Sequence, residues 1–274
     1  MSRIMLLTGC ASGIGLRLAG ALSARGDRVL ATDVNEEALK KRAHEGGWEA
    51  KGVRLQKLDV RSAEDWEAAL DFATSVWGGV DVVMNIAGVL RPGYIQSVTP
   101  ADIDFHVDVN VKGTALGLRA AAARMIPRRS GHIINFGSLA SLAPVPGLSL
   151  YTASKFAVRG LSLAAAMELQ PHGVSVTVVM PDAVQTPMLD LQVHFAEAAL
   201  TFSGDKPLTV EDVERLLIDK VLPQKPLEVA FPLGRGALAR AANAAPGITS
   251  LIAPMLLKKG LAMQERVRGG KKGS

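Results

Sequence analysis

Thr8-Gly9-Cys10-Ala11-Ser12-Gly13-Ile14-Gly15 follows a short apolar run, Ile4–Thr8, and opens a segment with helical spacing, Ile14–Arg25. Glycines at this junction let the chain turn tightly and bring its backbone close to a ligand. The helix start beyond them offers free N–H groups and the positive end of a dipole. A glycine pattern alone is an ordinary strand–helix turn. Here the flanks are right on both sides, and Asp33 closes the next strand 18 residues after Gly15. A carboxylate at that place accepts hydrogen bonds from ribose hydroxyls and repels a 2′-phosphate. The stretch is therefore read as a dinucleotide phosphate loop.

Working outward, apolar and helical segments alternate. Strands are predicted at Ile4–Thr8, Arg28–Asp33, Val53–Val60, Val80–Ile86, His132–Phe136, Val174–Met180 and Leu227–Phe231. Helices are predicted at Ile14–Arg25, Glu36–His44, Ala63–Trp77, Ala101–Met125 and Tyr151–Gln170. The strands lack polar alternation, as strands do when helices cover both faces of a parallel sheet. The expectation is an α/β doubly wound Rossmann fold, a parallel sheet of about seven strands with helices on both faces. Residues 1–232 are read as one catalytic domain with a substrate lid at about 187–226, and 233–274 as a C-terminal extension.

Composition narrows the class. Of 274 residues 48% are hydrophobic, 21% charged and 4% aromatic, which fits a globular chain with an aliphatic core. Cys10 is the single cysteine, so no internal disulfide forms, and it reads as a small loop residue. The net charge of +5 is a property of the tail: from Leu233 onward eight Lys or Arg side chains face Glu265 alone. No basic stripe with interleaved aromatics crosses the body, and no nucleic-acid partner is expected. The five histidines show no metal-ligand spacing, and no metal is expected. No leader segment precedes the first strand, so a cytoplasmic protein is expected.

Tyr151 and Lys155 are four apart at a helix start and share one side of it. Ser138 ends the fifth strand, on the edge where open α/β sheets bind ligands. Read singly, Ser138 is a strand-end cap and Asn110 a helix residue bonded to backbone. Together with Thr8-Gly9, Gly13-Ile14-Gly15, Asp59-Val60, Asn85-Ile86-Ala87-Gly88, Pro181 and Thr186, they make an ordered set from residue 3 to about 190. In this the chain resembles the classical short-chain dehydrogenase/reductase family.

The resemblance implies roles. Tyr151 is the acid/base that exchanges a proton with the substrate oxygen. Lys155, with the cofactor's positive ring when oxidised, lowers the phenol's pKa from about 10, and Lys155 also holds the nicotinamide ribose. Ser138 hydrogen-bonds the substrate oxygen, and Asn110 anchors a water in the proton relay. Gly9, Ser12, Gly13, Ile14 and Gly15 hold the pyrophosphate, and Asp33 the adenosine ribose. Asp59 and Val60 flank the adenine; Asn85, Ala87 and Gly88 line the cleft. Pro181, Val184 and Thr186 lie at the nicotinamide. Asp33 with Ser12 favours NAD over NADP, and with it alcohol oxidation. Two positions depart from the family's pattern: Ile86 replaces an asparagine, and Asp182 replaces the glycine after Pro181.

The expected function is hydride transfer between NAD(H) and a secondary alcohol or ketone, with a lipophilic substrate implied by the apolar segments Leu139–Leu148 and Pro187–Phe195. His194 is the one histidine of the lid, read as a surface residue. A catalytically silent nucleotide-binding regulatory or scaffold protein and an NADP(H)-dependent ketone reductase are the alternative readings. A homodimer or homotetramer is expected. In the extension, Ile248, Leu251, Ile252, Met255 and Leu256 follow helical spacing, with Pro246 and Pro254 each placed to open a short helix. This reads as an arm packed on the body or on a partner subunit, the alternative being peripheral membrane contact through its apolar and basic faces.

Overall fold

The computed structural model describes residues 2–48, 52–204 and 206–270. Seven strands form one parallel sheet: β1 Ile4–Leu7, β2 Arg28–Asp33, β3 Arg54–Lys57, β4 Val82–Asn85, β5 Gly131–Phe136, β6 Val174–Pro181 and β7 Glu228–Phe231. Their order is β3-β2-β1-β4-β5-β6-β7, the doubly wound order expected. The chain reverses direction across the sheet between β1 and β4, so the crevice outside those strand ends is where a ligand fits.

The absence of polar alternation has a direct structural cause. Successive side chains of a strand point to opposite faces, and here both faces are buried. Met5 and Leu7 of β1 pack with Leu18 and Leu22 of α1 (Gly13–Ala24), while Leu6 joins the other core with Trp66 and Leu70 of α3 (Ala63–Trp77). Val82 and Ile134 lie on the first face, Val83 and Ile133 on the second. Each large apolar side chain so buried contributes about 1.5–3 kcal/mol. The helices start where the sequence supplies a cap: Asn35 accepts from Ala38 N at the head of α2 (Glu36–Glu45), and Ser62 from Asp65 N at the head of α3.

Four elements differ from expectation. Strands three and four are shorter than their apolar runs, because pairing ends at Lys57 and Asn85. The helix expected at Ala101–Met125 is divided: α4 (Pro100–His106) and α5 (Gly113–Met125) are joined by a wide π turn, Val107–Lys112. Pro246 and Pro254 do not open separate helices. After α10 (Leu233–Ala244), one helix, α11 (Pro246–Gly270), carries Pro254 within it on its exposed side.

Between β6 and β7 the chain forms α7 (Pro187–Gln192), a 3₁₀ segment Ala196–Ser203, α8 (Val210–Leu216), a second π turn Leu217–Val221 and the short α9 (Leu222–Gln224). The arm α11 packs on that 3₁₀ segment of its own chain. Gln264 Nε2 donates to Gln192 O at 3.1 Å and Phe195 O at 2.9 Å, and Arg268 Nε donates to Val193 O at 2.6 Å. Lys271 and Lys272 of the expected basic end lie outside the described residues. Among the described residues no helix is long and apolar enough to cross a membrane.

Candidate active site

The glycine loop is shaped by positions that only glycine fills easily. Gly9 and Gly13 have φ of +72° and +54°, the left-handed region. A Cβ on Gly15 would lie 2.2 Å from Gly9 O, so the loop closes on itself there. Thr8 then ties β1 to β4: its hydroxyl oxygen accepts from Ile86 N at 3.0 Å and Ala87 N at 3.1 Å. Ser12, the cap of α1, makes no side-chain bond to the helix start, so the N–H groups there have no cap from it. Cys10 is buried, which pushes its thiol pKa upward.

These residues line a cleft of about 360 Å³. Of the residues predicted to hold a cofactor, Gly9, Ser12, Gly13, Ile14, Gly15, Asp33, Asp59, Val60, Ala87, Gly88 and Thr186 stand on its wall. The Asp33 carboxylate is fixed at the end of β2 by Ala11 N and Asn35 N, each at 2.9 Å. Asp59 is engaged by Arg61, whose Nη2 lies 2.6 Å from Oδ2. That contact holds the Asp59 carboxyl below its usual range. Asn85 lies one residue before the cleft wall and turns inward: its Nδ2 donates to Asn135 Oδ1 at 2.7 Å, and Asn135 donates to Ser162 Oγ.

A second cavity of about 430 Å³ opens alongside, and Ile14, Ile86, Gly88 and Thr186 line both. Ser138, Tyr151, Lys155, Pro181 and Val184 stand on its wall. Ser138 follows β5, and its Oγ accepts from Ala140 N at 3.2 Å, so it caps the strand end as well as facing the cavity. The Ser138 hydroxyl and the Tyr151 phenol face the same cavity, and Ser138 favours the charged form of the phenol. Tyr151 and Lys155 lie in the first two turns of α6 (Ser149–Leu169), and Lys155 Nζ is 5.6 Å from the Tyr151 ring centre. Lys155 donates to Phe136 O at 2.8 Å.

Asn110 sits in the π turn, where such turns often serve a site. Its Nδ2 donates to Val89 O at 3.0 Å and Ser154 Oγ at 2.9 Å; its Oδ1 accepts from Val89 N at 2.8 Å. Ser154 in turn donates to the Tyr151 carbonyl at 2.7 Å. Asn110 thus braces both the loop after β4 and the helix that carries Tyr151.

Burial governs the two titrating groups. It pushes the Tyr151 phenol up to about 12, Ser138 working the other way, and pushes Lys155 down to about 8. Among the protein's own groups, burial is the larger influence on the phenol. Desolvation outweighs an ammonium that is itself weakened by burial.

The sequence marks Thr8 only as part of the glycine motif and gives no sign of Ser154 or Asn135, and the partners of all three lie far along the chain. Sequence reasoning also missed that α10 and α11 wall the substrate cavity, through Leu238, Ile252 and Leu256 among others. His194 does not line it. Asp182 lines the cavity and forms an ion pair with Arg235 of α10, Nε to Oδ2 at 2.6 Å. Among the described residues no three His, Cys, Asp or Glu side chains gather as a metal site.

Comparison with known proteins agrees with this geometry. The family model for short chain dehydrogenase matches residues 3–195. A 3-alpha-(or 20-beta)-hydroxysteroid dehydrogenase of Mycobacterium tuberculosis is 37% identical over 190 residues, covering 69% of this chain and 72% of that protein. A 2-(R)-hydroxypropyl-CoM dehydrogenase of Xanthobacter autotrophicus is 36% identical over 193 residues, covering 69% and 77%. A short-chain dehydrogenase/reductase from Burkholderia phymatum, solved in complex with NAD, superposes with a TM-score of 0.80 at 24% identity, covering 90% of this chain and 95% of that one, and so shares the fold. The segment common to these oxidoreductases carries six of the seven strands and the whole cleft wall, and the chain belongs to the short-chain dehydrogenase family.

Proposed function

We propose that the chain is an NAD(H)-preferring oxidoreductase that interconverts a lipophilic secondary alcohol and its ketone. The observation that carries this is the convergence of Ser138, Tyr151 and Lys155 on one cavity that shares its wall with the glycine loop. The cleft fits a dinucleotide: Gly9 and Gly13 turn the backbone against it, the cap of α1 is open, and Asp33 stands at the adenosine end. Arg61 is the cleft's one cation among the described residues, and it is held by Asp59, which leaves no free positive group for a 2′-phosphate. Bound nicotinamide supplies the hydride acceptor in its oxidised form and the donor in its reduced form.

The chain's own residues do the rest. Tyr151 takes the proton from the substrate hydroxyl, or returns it to the carbonyl oxygen. Ser138 hydrogen-bonds the same oxygen. Lys155, charged below about pH 8, favours the phenolate, and Asn110 positions the helix that carries both. The cavity's apolar walls favour a lipophilic substrate, and the hydroxysteroid relative's name agrees. We further propose a homodimer or homotetramer, supported by Ile103 and Val107, which are apolar and exposed on neighbouring outer turns.

The test is nicotinamide reduction over a panel of cyclic secondary alcohols with NAD⁺ and with NADP⁺. The expected result is a preference for NAD⁺ of roughly tenfold or more in kcat/KM, about 1.4 kcal/mol. Asp33→Asn is expected to erase most of that preference by removing the repelling charge. A wild-type preference for NADP⁺ contradicts the cofactor assignment. Tight dinucleotide binding with no turnover on the panel favours the scaffold reading.

A further inference from the structure

The cavity beside Ser138 has three charged side chains on its wall: Lys155, Asp182 and Arg235. Lys155 belongs to the reacting end. The other two form a pair whose place follows from the sheet. The glycine loop leaves β1, Ser138 follows β5, Asp182 follows β6, and Arg235 lies just beyond β7 on α10. Adjacent strands are about 4.8 Å apart, and Arg235 reaches back to Asp182 after β6, so the pair lies beside Ser138 along the edge, on the side away from the glycine loop.

Arg235 binds Asp182 through Nε at 2.6 Å and Nη2 at 3.3 Å. Its Nη1 has no acceptor among the described residues. The pair is mostly covered, with side chains 30% and 18% exposed, and apolar Leu238, Ile252 and Leu256 share its cavity. An apolar ligand lying over such a pair strips water from a donor and returns nothing. A ligand oxygen at that place restores the bond, and sites of this kind discriminate sharply between oxygenated and deoxy ligands. Arg235 lies beyond residue 195, where the family match ends.

We propose that Asp182 and Arg235 form a second recognition point, which selects apolar substrates bearing a carbonyl or hydroxyl oxygen besides the one that reacts. This rests on the oxidoreductase reading of the same cavity. The test uses two probes, androsterone and its deoxo analogue, which lacks only the ring-D carbonyl. Binding is measured by calorimetry with NADH present, and initial rates with NAD⁺. The wild type is expected to favour androsterone at least about tenfold in Kd and in KM, with kcat similar for the two. Arg235→Met is expected to reduce that ratio below about twofold. Because that variant leaves Asp182 unpaired and can loosen α10, the paired change Asp182→Leu with Arg235→Met, which keeps an apolar contact, is expected to do the same. Equal affinity for the probes in the wild type, a preference that survives the paired change, or no binding of either probe overturns the proposal. A binding preference without turnover of either probe sinks the oxidoreductase reading and leaves the recognition point standing. Turnover without preference does the reverse.

Discussion

His132 lies inside β5 with its Nε2 2.8 Å from the Thr177 hydroxyl, and that hydroxyl donates to Pro226 O at 2.6 Å. Thr177 is therefore the acceptor for the ring, so Nε2 carries the proton and Nδ1 holds a buried lone pair with no partner. Protonating Nδ1 would place a charge in the core, facing Lys225 and Arg3. Burial and those two charges push the His132 pKa down to about 3. The folded state thus refuses a proton that the unfolded chain accepts near pH 6.5. Stability from this group is full above pH 6.5 and is lost as pH falls toward 3. From pH 7 to pH 5 the loss is roughly 2 kcal/mol. His132→Asn, which keeps an N–H for Thr177 and does not titrate, is expected to flatten that limb, read as urea midpoints at the two pH values. An unchanged limb contradicts the assignment. At this scale, residues whose role follows from type and close spacing were legible: Gly9, Gly13 and Gly15, Asp33, and the Tyr151–Lys155 pair. The partners of Thr8, Ser154, Asn135 and Arg235 were not. A serine or arginine announces nothing until the fold brings its partner near, and Asn110 to Ser154 spans 44 positions.

At the scale of elements, periodicity gave strands and helices wherever one face met a continuous core. It failed where local geometry and tertiary packing disagree. The π turn at Val107–Lys112 reads Val-Asp-Val-Asn-Val-Lys, a period-two alternation that breaks the helical spacing but does not by itself specify a π turn. Pro254 argues for a break, yet α11 runs through it because packing outweighs propensity. What seats α11 is Gly260: a Cβ there would lie 2.0 Å from Ala199 O, a backbone atom that cannot turn aside. Gly260→Val is expected to push the arm off the Ala196–Ser203 segment at a cost of about 2 kcal/mol, roughly 5 °C in melting temperature. Ile252 and Leu256 line the substrate cavity and not the cleft, so KM for a bulky alcohol is expected to rise several-fold while the Kd for NADH moves less than about twofold. An unchanged melting temperature, or equal losses in both constants, contradicts this role for the arm.

Across the whole molecule, the parallel sheet sets out the chemistry in strand order: glycine loop at β1, cleft wall at β4, serine at β5, and the Asp182–Arg235 pair at β6 and β7. The first three are carried by the segment shared with the family, and were readable from motif order. The last depends on α10 and α11, where no motif exists and only the fold shows which side chains face the cavity. The basic tail does not alter this plan, since its described part lies along the chain's own body. The plan stands or falls on the phenol at its centre. The most direct measurement is therefore the turnover of Tyr151→Phe beside its affinity for NADH, with a secondary alcohol that the wild type oxidises. The expected result is a fall in kcat of about 10²-fold to 10⁴-fold with the Kd for NADH within about twofold of wild type. Turnover kept within about tenfold of wild type would contradict the assignment of Tyr151 as the acid/base.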